Sequence, residues 1–322
     1  MRNKNGFPEV YYMNVESVIC YEQVCKIVSV KLFWNSIGQF QKYELEDGVT
    51  LEKYEADVFD TKDYIKLQSI LANSKSPFKD VEPNEIITIL DGSDNDVDAV
   101  SGATAIQLDE KDTVPGAALC CYTLWHYANG DIISIIREKT KASCKLKKLN
   151  TFLDDGNDDY KLFSLETLLS KQIYSDTLLS SVVTQTTDNN VLLRPAIEYI
   201  EGASEKAYAN ALKELFYSGS QNQKIASLSS LLNTKKTITK AYLDDLSKYL
   251  PKSNSYQEVS LLLRLMENKN PDSQEVIKHA LPMLNNEFLI ARRIYWFLKD
   301  QKLDKKQERL VKKFYKNNKN RL

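Results

Sequence analysis

Asp98-Ala99-Val100-Ser101-Gly102-Ala103-Thr104 is the stretch on which the reading of this 322-residue chain turns. It sets two hydroxyls three residues apart, with nothing larger than a methyl group between them. Gly102 has no Cβ, so its backbone can take φ > 0 or approach another surface closely. Ala103 adds one carbon. The Thr104 hydroxyl is therefore one that a bulky body can reach. Asp98 is placed to orient such a site or to hold a cation. The same residues also suit a small-residue turn between a strand and a helix, with Ser101 or Thr104 as N-cap.

Working outward, both flanks have strong local preferences. Upstream, Pro83 precedes Glu85–Leu90, whose Ile86-Ile87-Thr88-Ile89-Leu90 core reads as a buried strand. The acidic run Asp91-Gly92-Ser93-Asp94-Asn95-Asp96 invites a calcium-loop reading. A calcium loop needs glycine sixth and glutamate twelfth, where this chain has Asp96 and Gly102, so an acidic surface turn is expected. Downstream, Val114-Pro115-Gly116 opens a helix in which Ala117, Cys120, Cys121, Leu124 and Ala128 share a face. Gly130 stands where a C′ glycine belongs. Asp131–Arg137 reads as one more strand.

Nearer the start, residues 9–34 read as a β-hairpin. Val28, Val30, Leu32 and Trp34 alternate onto one apolar face, and the opposite face is mixed. A further strand is expected at Gln39–Leu45. A helix opens at Asp60, where Asp60 and Asp63 form a capping box and Tyr64, Leu67, Ile70 and Leu71 share one side; it stops before Ser76-Pro77. Together these elements predict an α+β domain over residues 1–150, an antiparallel sheet with packed helices. The acidic run Asp154-Asp155-Gly156-Asn157-Asp158-Asp159 is its expected linker.

With these residues in place, Asp98-x-x-Ser101-Gly102-Ala103-Thr104 resembles the attachment motif of the FMN-binding domain family. That family includes the flavin-carrying subunits of sodium-translocating quinone reductases and of Rnf-type complexes. The resemblance covers about residues 10–140 and is strongest over 98–130. It implies FMN attached to Thr104 through a phosphoester by a dedicated flavin transferase, with Asp98, Ser101, Gly102 and Ala103 forming the cofactor site. Tyr122, Trp125 and His126 are candidates to wall the isoalloxazine ring; the alternative is that Trp125 is core and His126 a satisfied polar residue. The resemblance also implies an extracytoplasmic setting. The chain departs from the common family form just after Thr104, where Ala105-Ile106-Gln107 replaces an aliphatic residue and a Thr-Ser pair. A flavin-free domain that keeps the fold is therefore the competing expectation.

Composition sets the bounds. The net charge is −1, and hydrophobic content is 43%, which predicts a soluble globular chain with no general call for nucleic acid. No apolar run reaches a membrane span, and Met1–Pro8 has no apolar core of a signal peptide, so neither is expected. The five cysteines make no metal-type double pair. Cys20 and Cys25 are read either as a hairpin disulfide or as small hydrophobes on adjacent strands. With His126 and His279 the only histidines, and no Gly-x-Ser-x-Gly or His-Glu-x-x-His, no catalytic residues and no metal ligands are assigned.

From residue 160 the texture changes. Helices are expected at 164–173, 175–183, 190–201, 204–218, 221–232, 238–250, 255–268, 272–284, 286–299 and 303–316, broken at Gly202, Gly219, Pro251, Pro271 and Asn285. Pairs repeating about every 30–35 residues predict an all-α, HEAT-like helical-repeat domain over 160–322, whose usual use is to dock a protein partner; with no strong repeat consensus, an irregular helical bundle is the alternative. Lys299–Leu322 carries ten Lys or Arg against three acids and is read as a solvated face and cap. Two functions follow: an FMN-carrying electron-transfer protein with a docking array, or an interaction scaffold without flavin.

Overall fold

The computed structural model describes residues 1–2, 6–21, 24–53, 57–82, 110–187, 189–253 and 255–322. The expected strand at Glu85–Leu90, the acidic turn after it and the whole of Asp98–Thr104 lie outside the described residues. The chain divides into two compact units, Met1–Lys145 and Leu146–Leu322.

The first unit is built on an antiparallel sheet of order β1-β2-β3: β1 Val10–Tyr21, β2 Val24–Asn35 and β3 Phe40–Leu45. The hairpin register sets Val10 opposite Asn35 and Cys20 opposite Cys25. The alternation of β2 does what its sequence requires. Val28, Val30, Leu32 and Trp34 are buried together, and Phe33 on the other face lies beneath the ammonium groups of Lys31 and Lys42. At the β2–β3 turn, Asn35 Oδ1 accepts from the N–H groups of Ile37 and Gln39. Gly38 there has φ +85°, a conformation that L side chains rarely adopt.

Helix α1, Thr61–Ala72, starts at the expected capping box. Asp60 accepts from Lys62 and Asp63, and Asp63 accepts from the Asp60 N–H. Leu67, Ile70 and Leu71 face the core. Lys53 donates to the Asp63 carboxylate at 2.6 Å and holds it below the usual carboxylate range. After Ser76, a tight turn over Pro77–Asp80 buries Phe78. Helix α2, Ala118–Asn129, follows, and the core joins the sheet to α1 and α2. Trp34 Nε1 donates to the Ala128 carbonyl at 2.7 Å, fixing β2 to the last turn of α2.

Two expectations are corrected here. Residues 131–137 are not a strand: they open helix α3, Ile132–Ser143. A short apolar run does not separate the two states by itself. Ile136 and Thr140, one turn apart, are the buried positions, and the Thr140 hydroxyl meets Tyr11 Oη at 2.9 Å. Gly130 does not end α2 in a left-handed conformation, for its φ is −84°. Its role is steric, because a Cβ there would run into the His126 carbonyl oxygen. Gly130→Ala is expected to cost about 1–3 kcal/mol through the backbone shift it forces, read as a lower urea midpoint with an unchanged slope.

The described part of the second unit is helical. It contains α4 Leu146–Leu153, α5 Asp158–Ser170, α6 Asp176–Thr186, α7 Asn190–Gly202, α8 Glu205–Ser218, α9 Gln221–Asn233, α10 Lys240–Ser247, α11 Tyr256–Lys269, α12 Gln274–Ala280, α13 Phe288–Leu298 and α14 Lys305–Asn318. The acidic run 154–159 is not a linker between the units. It turns the chain from α4 into α5, with Asn157 as N-cap and Asp158 and Asp159 in the first turn, where negative charge is favoured.

Packing in this unit runs between helices one and two apart. Helices α5, α7, α9, α11 and α13 touch in series, and α4, α6 and α8 do likewise alongside them. The first series starts at Asp158, Asn190, Gln221, Tyr256 and Phe288, intervals of 31–35 residues. Polar ties recur at the same interval. Lys236 Nζ caps the Ala203 carbonyl and Lys269 Nζ the Thr234 carbonyl, both at 2.8 Å, each placing a cation at the C-terminal end of a helix in the preceding pair.

Candidate functional site

The residues around the expected attachment loop are positioned by α1, α2 and the Pro77–Asp80 turn. The chain leaves the described region just after Val81, which is buried, and returns at Glu110. On the way out, the Pro77–Asp80 turn packs on α2. On the way back, Lys111 and Asp112 line a cleft of about 220 Å³ with Ser69, Ile70, Asn73 and Ser76 at the C-terminal end of α1. Both ends of the segment that carries Asp98–Thr104 are therefore tied to the α1–α2 layer.

An aromatic cluster stands at that place. Tyr122, Trp125 and His126 project from α2 at the i, i+3, i+4 spacing that brings side chains together on a helix. The Tyr122 and His126 rings are 4.3 Å apart, and the Trp125 and His126 rings meet edge-on at 5.0 Å. Phe78 closes the group, 5.7 Å from Tyr122 and 6.3 Å from Trp125. The structure thus brings together the three residues that the sequence singled out on α2. It adds Phe78, which the sequence marked only as following a helix stop.

The cluster does not treat its members alike. Trp125 is 3% exposed, and its Nε1 donates to the Asn73 carbonyl at 2.8 Å, so the indole secures α2 to the end of α1. Asn129 adds a second tie to the Leu71 carbonyl at 2.9 Å. Trp125 is thus placed as a packing residue between α1 and α2. Trp125→Phe is expected to cost about 1–3 kcal/mol, because it removes the indole's bond to Asn73 and leaves a gap in the core where the larger ring was packed; a change below 0.5 kcal/mol in urea unfolding would contradict this assignment.

His126 differs. Its Nε2 is buried and has no hydrogen-bond partner among the described residues. An imidazole nitrogen cut off from water in this way is unfavourable unless something supplies a partner.

The neighbouring thiols and the Tyr43 hydroxyl are held neutral. Burial raises the Cys121 thiol to about 11 and Cys120 further, and Cys121 Sγ also accepts from the Val114 N–H. Neither thiol supplies a thiolate near neutral pH. Burial likewise raises Tyr43, whose hydroxyl donates to the Tyr64 carbonyl. Among the described residues no group of three or more His, Cys, Asp or Glu is arranged to hold a metal ion. Nor is any helix there long and apolar enough to cross a membrane. Asp98, Ser101, Gly102, Ala103 and Thr104 themselves lie outside the described residues.

No family model, curated protein or solved structure matches this chain.

Proposed function

We propose that the first unit carries FMN, attached by a phosphoester to the Thr104 hydroxyl. The second unit is a short HEAT-like array that docks the protein with which electrons are exchanged. The observation that carries this reading is Asp98-x-x-Ser101-Gly102-Ala103-Thr104, a reachable hydroxyl among minimal side chains. The chain flanking it is packed against α1 and α2.

The roles divide by chemistry. Thr104 supplies the oxygen of the phosphoester: its hydroxyl displaces the nucleotide half of a flavin dinucleotide donor on the transferase, so the pyrophosphate bond breaks and the nucleoside monophosphate leaves as the hydroxyl proton is released. Gly102 and Ala103 keep the approach open for the flavin transferase, and Asp98 and Ser101 orient the loop. The described residues bear on a flavin at two places. Trp125 ties α2 to the end of α1 beside the loop's flanks. His126 Nε2 is the buried polar atom with capacity to meet a ligand. The flavin supplies the redox chemistry, and the chain supplies its position and surroundings.

The array reading is supported by the packing of helices two apart and by the 31–35-residue interval. Elements of this kind expose long surfaces to partners while each repeat contacts only its neighbours. A scaffold without flavin is the second reading, favoured by Ala105-Ile106-Gln107 after the motif.

The deciding experiment is loading. The chain is co-expressed with a flavin transferase, denatured, and examined for fluorescence that stays with the polypeptide and for a mass increase of about 440 Da. Both signals are expected. A colourless polypeptide of unmodified mass, which also takes up no added FMN when folded, would leave the scaffold reading in its place.

A further inference from the structure

The last two helices enclose a groove that their own packing leaves unfilled. It measures about 950 Å³ and runs between the turn at residues 281–286, the start of α13 and one face of α14. Leu281, Leu284 and Phe314 supply an apolar floor, and Phe288 beside them lies under the Arg321 guanidinium. Lys306, Leu310 and Lys313, at i, i+4 and i+7, present one side of α14 to it. Leu310 remains 46% exposed, and Val311 is the one residue of α14 that is fully buried.

The rim has one sign of charge. Lys278, Lys306, Lys313 and Arg321 border the groove, and Asp304 is the one acid among its described lining residues. That carboxylate is already engaged, since it caps α14 by accepting from the N–H groups of Lys306 and Gln307. Lys278 is paired with Glu275 at 3.3 Å and Arg321 lies on Phe288, so Lys306 and Lys313 on α14 are the rim cations that face an occupant, and with the apolar floor they define its complement.

We propose that this groove binds an acidic amphipathic helix of a protein partner. Leucine-like residues at i, i+3 or i+4, and i+7 would lie on the floor, and carboxylates would meet Lys306 and Lys313. Rival occupants fit less well. A second copy of this chain would bring the equally basic α14 and be repelled. Nucleic acid wants open aromatic faces for bases, but the Arg321 guanidinium covers Phe288 at 3.8 Å. An anionic membrane prefers a projecting apolar face, whereas this floor is recessed.

The inference rests on the reading of the second unit as a docking array and names where docking occurs. The test uses the full chain and a labelled sixteen-residue helical peptide, leucine on one face and glutamate on the other, followed by fluorescence anisotropy. Saturable binding is expected, with none for the twin peptide carrying lysine in place of glutamate. Leu310→Glu and the pair Lys306→Glu with Lys313→Glu should each weaken it at least tenfold, with circular dichroism unchanged. Lys248→Glu, away from the groove, should leave it as it was.

Several results would overturn the proposal: no saturable binding, equal affinity for the lysine twin, or binding indifferent to the groove substitutions. So would a stronger groove-dependent affinity for phosphatidylserine vesicles or duplex DNA, or a self-association that the groove variants abolish. The array reading is judged separately by whether hydrogen exchange opens helices successively from the chain ends. An intact array with an inert groove is therefore a distinguishable result.

Discussion

Thr104→Ala is expected to reduce polypeptide-bound flavin to background, a loss of more than a hundredfold, while Thr104→Ser retains it. The reason is the bond. A phosphoester needs a side-chain oxygen, and alanine provides none, whereas serine keeps the oxygen and drops only a methyl. Nothing else in the loop substitutes at the same place, because Gly102 and Ala103 carry no hydroxyl. Ser101 is the nearest alternative, three residues upstream, and fragment masses separate the two positions. Gly102→Val tests the second half of the argument. A branched side chain there restricts the backbone and crowds the hydroxyl, so loading should fall even though Thr104 is intact. Full loading of Thr104→Ala at any hydroxyl would remove the proposed role of this loop. Equal loading of Gly102→Val would leave the attachment but refute the account of access.

How far such readings reach is clear from the elements themselves. Local, periodic features were legible. The alternation over Val28–Trp34 named the buried face of β2, and Asp60 with Asp63 named the first turn of α1. Three boundaries between helices in the second unit were readable from Gly202, Gly219 and Asn285, because glycine and asparagine break helices for stated steric and hydrogen-bonding reasons. Where two signals coincided, the reading failed. Ile132-Ile133-Ser134-Ile135-Ile136 satisfies a short strand as well as a helix, and only packing of Ile136 and Thr140 decides. The acidic run at 154–159 looked like a linker because the same residues that stay in solvent also start helices.

The candidate site was legible as chemistry but not as geometry. Helical spacing placed Tyr122, Trp125 and His126 on one face, yet it could not assign their partners. Trp125 is claimed by Asn73, 52 residues away, and Phe78 joins through a turn that the sequence marks only by Ser76-Pro77. Contacts of that separation depend on the tertiary arrangement and leave no local pattern. The groove beside α14 is of the same kind. The basic face was readable, while the space beside it depends on how far α14 stands from the 281–286 turn.

Gln223 provides the sharpest test of how the second unit is held in register. It is fully buried in the first turn of α9, and both ends of its amide are in use. Oε1 accepts from the Ser220 N–H at 2.6 Å, and Nε2 donates to the Thr186 carbonyl at 2.6 Å, joining α9 to the end of α6. Gln223→Ala removes both bonds, leaves the part-buried Ser220 N–H without this acceptor while the Thr186 carbonyl keeps the Asn189 N–H, and opens a cavity. The expected loss is about 3–5 kcal/mol, and the melting temperature should fall by about 10 °C. Gln223→Met, similar in volume, should recover the packing part and still lose the polar part. Gln223→Glu separates the two bonds by pH. An ionised carboxylate can accept from Ser220 but has no proton for the Thr186 carbonyl, and burial disfavours its charge, so its folded pKa must rise above the unfolded value of about 4.3. The protonated form can donate. Stability of Gln223→Glu relative to wild type is therefore greatest below about pH 4 and declines as pH rises toward the elevated folded pKa. Denaturation series at pH 4 and pH 7 measure this directly. A variant that tracks wild type at both values would mean that the Gln223–Thr186 bond does not couple α9 to α6.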